Sequence, residues 1–163
     1  MAALSKIEKQ QFRRICGKFA SGITVATVLD SAGAPHGMTA NSFTSVSMTP
    51  PLVLVCVDLT SDTHGDLRAA GAFAVSVLAA DQERLARRFA DAQERERFQG
   101  VAWREEATGA PVLEDAVAWV DCRVWAEYPA GDHTIFVGQV LAGDADDRPP
   151  LLYYRGGYGR FDI

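Results

Sequence analysis

The sequence predicts a mainly β protein, an antiparallel sheet with a few flanking helices whose edges are hidden by rolling the sheet into a closed or split barrel. Three observations lead there. Apolar, β-branched runs recur in meander-like order, helical periodicity is confined to the start and middle, and 163 residues fit one domain, spanning 1–163, with a single core. An active site in so short a chain is shallow or shared with another subunit.

Taken in order, Ser5, Lys6, Ile7 and Glu8 read as a capping box, and Phe12, Ile15, Cys16 and Phe19 recur at helical spacing. A helix over 5–20 follows, ended by Gly22. Ile23 to Leu29 is β-branched, and a turn from Asp30 to Ala34 returns the chain through His36 to Ala40 as a hairpin. Leu52 to Val57 is continuously apolar, which suits a strand buried on both faces. Ser61 to Ala70 reads as a short helix with Thr63 or Asp62 as its cap, and Ala72 to Leu78 as a strand. From Asp81 to Gln99 charge is dense, Leu85 and Phe89 share a side, and Asp91 and Arg95 stand at helical spacing, so one helix or two with a break near Ala90 are expected. Val117 to Tyr128 alternates, with Ala118, Val120, Cys122, Val124 and Ala126 as the core face. A turn from Pro129 to Asp132 joins it to a partner strand over 133–141, and a last short strand covers Leu151 to Tyr154.

Composition narrows the function classes. With 16 Lys and Arg against 21 Asp and Glu, the net charge is −5, and no basic stripe interleaves with aromatics, so a nucleic-acid partner is not expected. Cys16, Cys56 and Cys122 are odd in number, widely spaced and set among apolar neighbours, as reduced buried thiols are; with no signal-peptide pattern at the N-terminus, a cytoplasmic setting is expected. The stretch between Asp30 and Asp58 lacks every charged carboxylate, Lys and Arg, but its Gly, Pro, Ser and Thr content rules out a spanning helix, so no membrane partner is expected.

That uncharged stretch is the chemical question. No Gly-rich loop ends in Lys-Ser/Thr, and no G-x-G-x-x-G joins a strand to a helix, which argues against a Rossmann or Walker-type nucleotide site. Thr39, Asn41, Ser42, Ser45 and Ser47 instead offer neutral donors that suit a phosphate or a polar heteroaromatic ring; the same hydroxyls can equally satisfy the backbone of an irregular strand. His36, His64 and His133 show no metal-ligand spacing. A Cys-His-Asp triad can be drawn from Cys56, His133 and Asp132, but an adjacent Asp and His are poorly placed for the orienting bond.

Four motifs follow one another in a recognisable order: GMTANSFTSVSMTPPLV over 37–53, Ser61-x-Thr63, LARRFA over 85–90, and GDHTIFVGQV over 131–140. From about Phe12 to Phe161 the chain resembles the short-chain flavin reductases, the NAD(P)H:flavin oxidoreductases that serve two-component flavin-dependent monooxygenases. The resemblance implies an antiparallel, Greek-key-like split β-barrel that binds FMN or FAD, uses NADH or NADPH as hydride donor, and forms a homodimer with flavin sites near the subunit interface. It places Thr39, Ala40, Asn41 and Ser42 along the isoalloxazine and ribityl chain, with Ser47 in the same hydroxyl-rich block. It brings Cys56 and Val57 to the ring through main-chain groups, and sets Ser61 and Thr63 near the ribityl phosphate beside a helix N-terminus. Arg88 and Phe89 fall on the phosphate or adenine side. His133 resembles the residue beside the nicotinamide, and Tyr158, in a Gly-Gly-Tyr turn, would close over it.

The residues agree in kind, because hydride transfer between two cofactors needs alignment and no protein nucleophile. The expected activity is reduction of FMN, or FAD or riboflavin, at flavin N5, with reduced flavin passed to a separate oxygenase. The rivals are a split-barrel oxidase that retains its flavin and a non-catalytic flavin-binding module. Asp58 and Asp62 flank the proposed phosphate hydroxyls, where their charge opposes an anion unless both are turned away.

Overall fold

The computed structural model describes residues 7–160. Helix α1 (Lys9–Cys16) leads into strands β1 (Ser21–Gly22), β2 (Thr24–Leu29), β3 (Pro35–Ala40), β4 (Thr44–Met48) and β5 (Pro51–Asp58). Helix α2 (Asp62–Ala70), β6 (Ala72–Val77), α3 (Glu83–Ala90), β7 (Trp103–Glu105) and β8 (Pro111–Leu113) follow. The long strands β9 (Ala118–Ala130) and β10 (His133–Ala145) come next, then β11 (Leu152–Tyr154) and β12 (Gly157–Gly159). No helix among the described residues is long and apolar enough to cross a membrane.

Seven strands form one sheet in the order β3-β2-β6-β9-β10-β5-β4, and each of its neighbouring pairs runs antiparallel. The two edges, β3 and β4, share no ladder, so the barrel is split and not closed. Two smaller sheets, β1-β11-β12 and β7-β8, accompany it, and β8 packs against β2, β6 and β9.

Local chemistry explains the connections. Asp30 accepts the N–H groups of Ala32 and Ala34, both at 2.8 Å, and Gly33 takes φ +79°, which closes the β2–β3 hairpin. Gly131, at φ +69°, turns β9 into β10. Ser61 caps α2 by accepting the Thr63 N–H at 3.3 Å, and left-handed Gly71 ends that helix. Besides a small cluster of Ala74, Ala110 and Val112, two large apolar clusters form the core. One gathers Ile23, Val25, Leu78, Phe89, Leu113 and Leu151 beneath α3, and the other gathers Val53, Val55, Val57, Leu67, Phe73 and Phe136 beneath α2.

Several elements differ from the sequence reading. Helix α1 is shorter than 5–20; Ser5 and Lys6 of the capping box lie outside the described residues, and Glu8 at the N-cap makes no side-chain bond. Its apolar residues stay uncovered, with Phe12 at 56% and Ile15 at 52% exposure, Cys16 is exposed too, and Phe19, which falls beyond the helix end, is 83% exposed. Strand β5 is not buried on both faces. Val53, Val55 and Val57 point into the core, while Leu52, Leu54 and Cys56 are half-buried on the opposite face, because no described element packs over β5 there as β8 does over β6 and β9. Two expectations hold: β4 takes up the hydroxyl-rich stretch, the irregular strand that is one reading of it, and the charge-dense helix stops at the expected break, Ala90, where Asp91 turns extended at ψ 113°.

Strand β9 breaks its simple alternation. Register shifts fall between Val137 and Gly138 and between Val140 and Ala142, so one strand does not keep one face throughout. Asp121, assigned to the outer face, is fully buried, and its carboxylate accepts the Thr108 N–H at 2.7 Å and the Thr108 hydroxyl.

Gly138 sits beside the first shift, and a Cβ there would lie 2.5 Å from Phe73 Cζ and 2.8 Å from Cys122 Cβ. Both neighbours are fully buried, so neither has free space to move into. Gly138→Ala is expected to lower unfolding stability by about 1–3 kcal/mol, read from the urea midpoint at constant m-value. A midpoint equal to the wild type would mean that the core repacks freely around β10.

Candidate functional site

A cavity of about 370 Å³ opens where β3, the β5–α2 connection and the C-terminal end of α3 meet. Met38 and Phe89 give it apolar lining, and Thr39, Thr60 and Ser61 bring hydroxyls. Asp58, Asp62, Arg95 and Arg97 complete the wall. A second cavity of about 490 Å³ adjoins it, sharing Asp62, Arg95 and Arg97 and adding His36, Gly37 and Phe98. Volumes of this size suit small molecules, and the lining mixes an apolar wall, hydroxyls, a helix start and guanidinium groups. That donor set fits a flat heteroaromatic ring carrying a phosphate.

Each wall residue is positioned by the fold. The Thr39 hydroxyl donates to the Ala86 carbonyl at 2.6 Å, docking α3 on β3, and its oxygen remains available as an acceptor. Phe89 is 1% exposed, with its ring 5.0 Å from that of Phe98 in an edge contact, so it is a rigid wall. Gly37 permits this approach, since a Cβ there would lie 3.1 Å from Phe89 Cε1. The Ser61 hydroxyl accepts from the Thr63 N–H and lies 3.5 Å from Met38 Sδ, at the start of α2, where first-turn N–H groups favour negative charge.

The cavity gathers Thr39, Ser61 and Phe89 from the residues singled out in the sequence and leaves the others elsewhere. Ser42 and Cys56 engage each other: the Cys56 N–H donates to Ser42 Oγ at 2.9 Å, and the Ser42 hydroxyl donates back to the Cys56 carbonyl at 3.3 Å. The pair clasps the β3–β4 connection to β5, and the Cys56 N–H is thereby used within the chain. Ala40 is buried, and its carbonyl accepts the Thr24 hydroxyl at 2.8 Å. Asn41 is exposed at the end of β3. Ser47 accepts the Thr49 N–H at 3.2 Å on the edge strand. Val57 is fully buried in the core, and Thr63 is fully buried with no hydrogen-bond partner for its hydroxyl. Arg88 donates to the Glu96 carbonyl and, at 2.8 Å, to that of Gln99, so it fastens the loop after α3 and does not line the cavity.

The cavity's arginines escaped the sequence reading. Asp91 and Arg95 were paired there at helical spacing, but the helix has ended, and Asp91 accepts the Gln93 N–H instead. Arg95 reaches Asp62 at 3.0 Å, and Arg97 donates to the carbonyls of Asp91 at 2.9 Å and Gly37 at 3.4 Å. The usable signal was the arginine pair itself, spaced two apart just beyond a helix end.

His133 opens β10 directly opposite Asp58, so their side chains share a sheet face; Asp58 lines the cavity and His133 does not. Its Nδ1 lies 2.7 Å from Asp132 Oδ1, against the expectation that adjacent residues would not make this bond. A carboxylate only accepts, so Nδ1 carries the hydrogen and Nε2 is the acceptor of the neutral ring. The same bond holds the Asp132 carboxyl below its ordinary value. Tyr158 lies in strand β12, not in a turn, and does not line the cavity. It faces Tyr153 in register at a ring separation of 5.3 Å, with the Arg87 guanidinium 4.8 Å from its ring centre. Burial pushes its hydroxyl upward in pKa. Among the described residues, no group of three or more His, Cys, Asp or Glu is placed to hold a metal.

Residues 16–162 match the family described as flavin reductase like domain. The chain belongs to that family. It is 42% identical over 151 residues to a probable flavin reductase of Rhizobium meliloti, covering 93% of this chain and 48% of that protein, so it spans about half the length of that relative. The solved Streptomyces globisporus NADH:FAD oxidoreductase, in complex with NAD and FAD fragments, is 45% identical with a TM-score of 0.89, covering 95% of this chain and 93% of that one. The flavin reductase component of a bacterial two-component tryptophan halogenase is 43% identical with a TM-score of 0.87, covering 96% and 99% of the two chains. The split sheet seen here is the fold of this family.

Asp58 offers a test of the cavity's electrostatics. The Thr60 hydroxyl and N–H, each 2.7 Å from Asp58 Oδ1, hold its carboxyl below the usual 3.8, with help from His133 and His64. A depressed native value stabilises the fold above pH 3.8 and is lost as pH falls through it. Thr60→Val removes the largest cause, so the urea midpoint of the variant is expected to fall less steeply with pH below 3.8 than that of the wild type. Identical slopes would show that the hydroxyl does not set the charge of Asp58.

Proposed function

We propose that the protein is an NADH-dependent flavin oxidoreductase that reduces FMN, and FAD or riboflavin as alternatives, and releases the reduced flavin to a separate oxygenase. One observation carries the reading. A single cavity gathers Thr39, Ser61 and Phe89 with Arg95 and Arg97 at a helix start, in a chain matched to flavin reductases from residue 16 to 162. Relatives that are NADH:FAD oxidoreductases or reductase components of two-component halogenases support both the chemistry and the partner.

Bound flavin supplies a ring that accepts a hydride from a reduced nicotinamide at N5, without a protein nucleophile. The chain's residues bind and align. Phe89 and Met38 exclude water from one side of the cavity, Ser61 and the first turn of α2 meet the phosphate end, and Arg95 and Arg97 supply the positive charge there. His133, held by Asp132 and opposite the cavity-lining Asp58, orients the donor at the end of the β5–β10 ladder.

A second copy of the chain fits the uncovered faces. Tyr128, Ile135 and Cys56 are direct cross-strand partners and lie on one face, next to Ala126, Val137 and Leu54 in the adjoining row. Tyr128 is 56% exposed, and bare Phe12 and Ile15 on α1 and Phe19 just beyond it add to this. Apolar surface of this extent is covered in a stable protein, and a homodimer would do so. A monomer at micromolar concentration in sedimentation equilibrium would remove this part of the proposal.

The activity is tested by mixing the protein anaerobically with excess FMN and NADH. Bleaching of flavin absorbance over many turnovers is expected, whereas one equivalent or none would point to a retained flavin or a binding module. His133→Ala is expected to lower NADH turnover by about tenfold or more while leaving flavin affinity within about twofold, consistent with loss of donor alignment. Unchanged kinetics would take His133 out of the site.

A further inference from the structure

Asp62 has no place in the function derived so far, and its charge opposes a phosphate. It lines both cavities, stands in the first turn of α2 beside Ser61, and is held 3.0 Å from Arg95 across a sequence gap of 33 residues. Arg95 and Asp62 are exposed at 75% and 53%, so the pair is accessible to a ligand entering either cavity. Of the other wall carboxylates, Asp58 is occupied by Thr60, and Glu94, which lines the adjoining cavity with Glu96, accepts the Glu96 N–H; Arg97 is spent on main-chain carbonyls. Arg95 is thus the wall cation whose partner is a side chain, and that partner is an anion.

We propose that Asp62 is a built-in competitor for the phosphate of the flavin: it occupies Arg95 when the cavity is free of phosphate, and the phosphate takes its place on Arg95 when flavin binds. This rests on the flavin reading above and deepens it. A phosphate dianion and a carboxylate ask for the same guanidinium fork, so binding exchanges one ion pair for another and does not add a new one. The displaced carboxylate remains close to the phosphate and repels it. The net gain from phosphate is small, and a flavin that must leave after reduction is held loosely. The competitor acts only on ligands that carry the phosphate, so it tunes FMN against riboflavin without touching the ring.

The test is a set of equilibrium titrations of the full chain with FMN and with riboflavin, followed by flavin fluorescence at low salt. Asp62→Asn keeps the side-chain shape and is expected to tighten FMN about threefold or more while leaving riboflavin unchanged, an effect that shrinks as salt screens the pair. Arg95→Ala is expected to weaken FMN and not riboflavin, and in that background Asp62→Asn should give less FMN tightening than it gives alone. Equal shifts for both flavins in Asp62→Asn would show a general effect on the start of α2 and overturn the proposal, as would unchanged FMN affinity. A wild-type chain that binds neither flavin would overturn the flavin reading itself.

Discussion

The β9–β10 hairpin is the constraint on which the rest of the sheet depends. It pairs thirteen-residue strands, carries β6, β2 and β3 on one side, and carries β5 and β4 on the other. Its path is bent by two register shifts, and the first is accommodated only because Gly138 leaves room for the buried ring of Phe73. Ser42, beyond the end of β3, meets the backbone of Cys56 where the β4–β5 register, with Thr44 opposite Leu54, is carried two residues further. The cavity is walled by residues from β3, the β5–α2 connection and the end of α3, so it exists only once these separate elements have packed.

The hydroxyl-rich stretch now divides into two kinds of work. Ser42, Ser47 and the Ala40 carbonyl satisfy or clasp the backbone, as expected where a sheet edge turns over, whereas Thr39 and Ser61 hold elements in place and still face the cavity. Positive charge comes from elsewhere. The chain carries a net charge of −5, so the overall field does not attract nucleotides. Two arginines beyond the end of α3 provide attraction locally, and one is balanced by an aspartate from α2. A site built this way suits a ligand that comes and goes.

Local patterns in the sequence determined much of the fold. The Asp30–Gly33 turn and the break at Ala90 depend on residues adjacent in sequence, and the observed elements follow them. The hydrophobic runs of β2, β5, β6 and β10 placed the strands, and four ordered motifs identified the family. Where alternation alone was used, at Asp121 and on the outer face of β5, the inference failed. Asp121 keeps its register opposite Ala74 and is buried because Thr108 and β8 pack on that face, whereas the outer face of β5 has no such cover among the described residues; a strand's second face is covered only if another element, or another molecule, packs on it.

Sequence by itself therefore decided the principal strands of the sheet but not β1, β7, β8 or β12, and it decided the antiparallel class and the membership of Thr39, Ser61 and Phe89 in a common motif pattern. Tertiary structure alone decided that these three face one cavity, that Arg88 fastens a loop, and that Arg95 meets Asp62 across 33 positions. The physical reason is range. Turn and strand preferences act over a few bonds and are written in neighbouring residues, whereas an ion pair or a cavity wall exists only after separate elements have packed, and its partners leave no periodic trace in the chain.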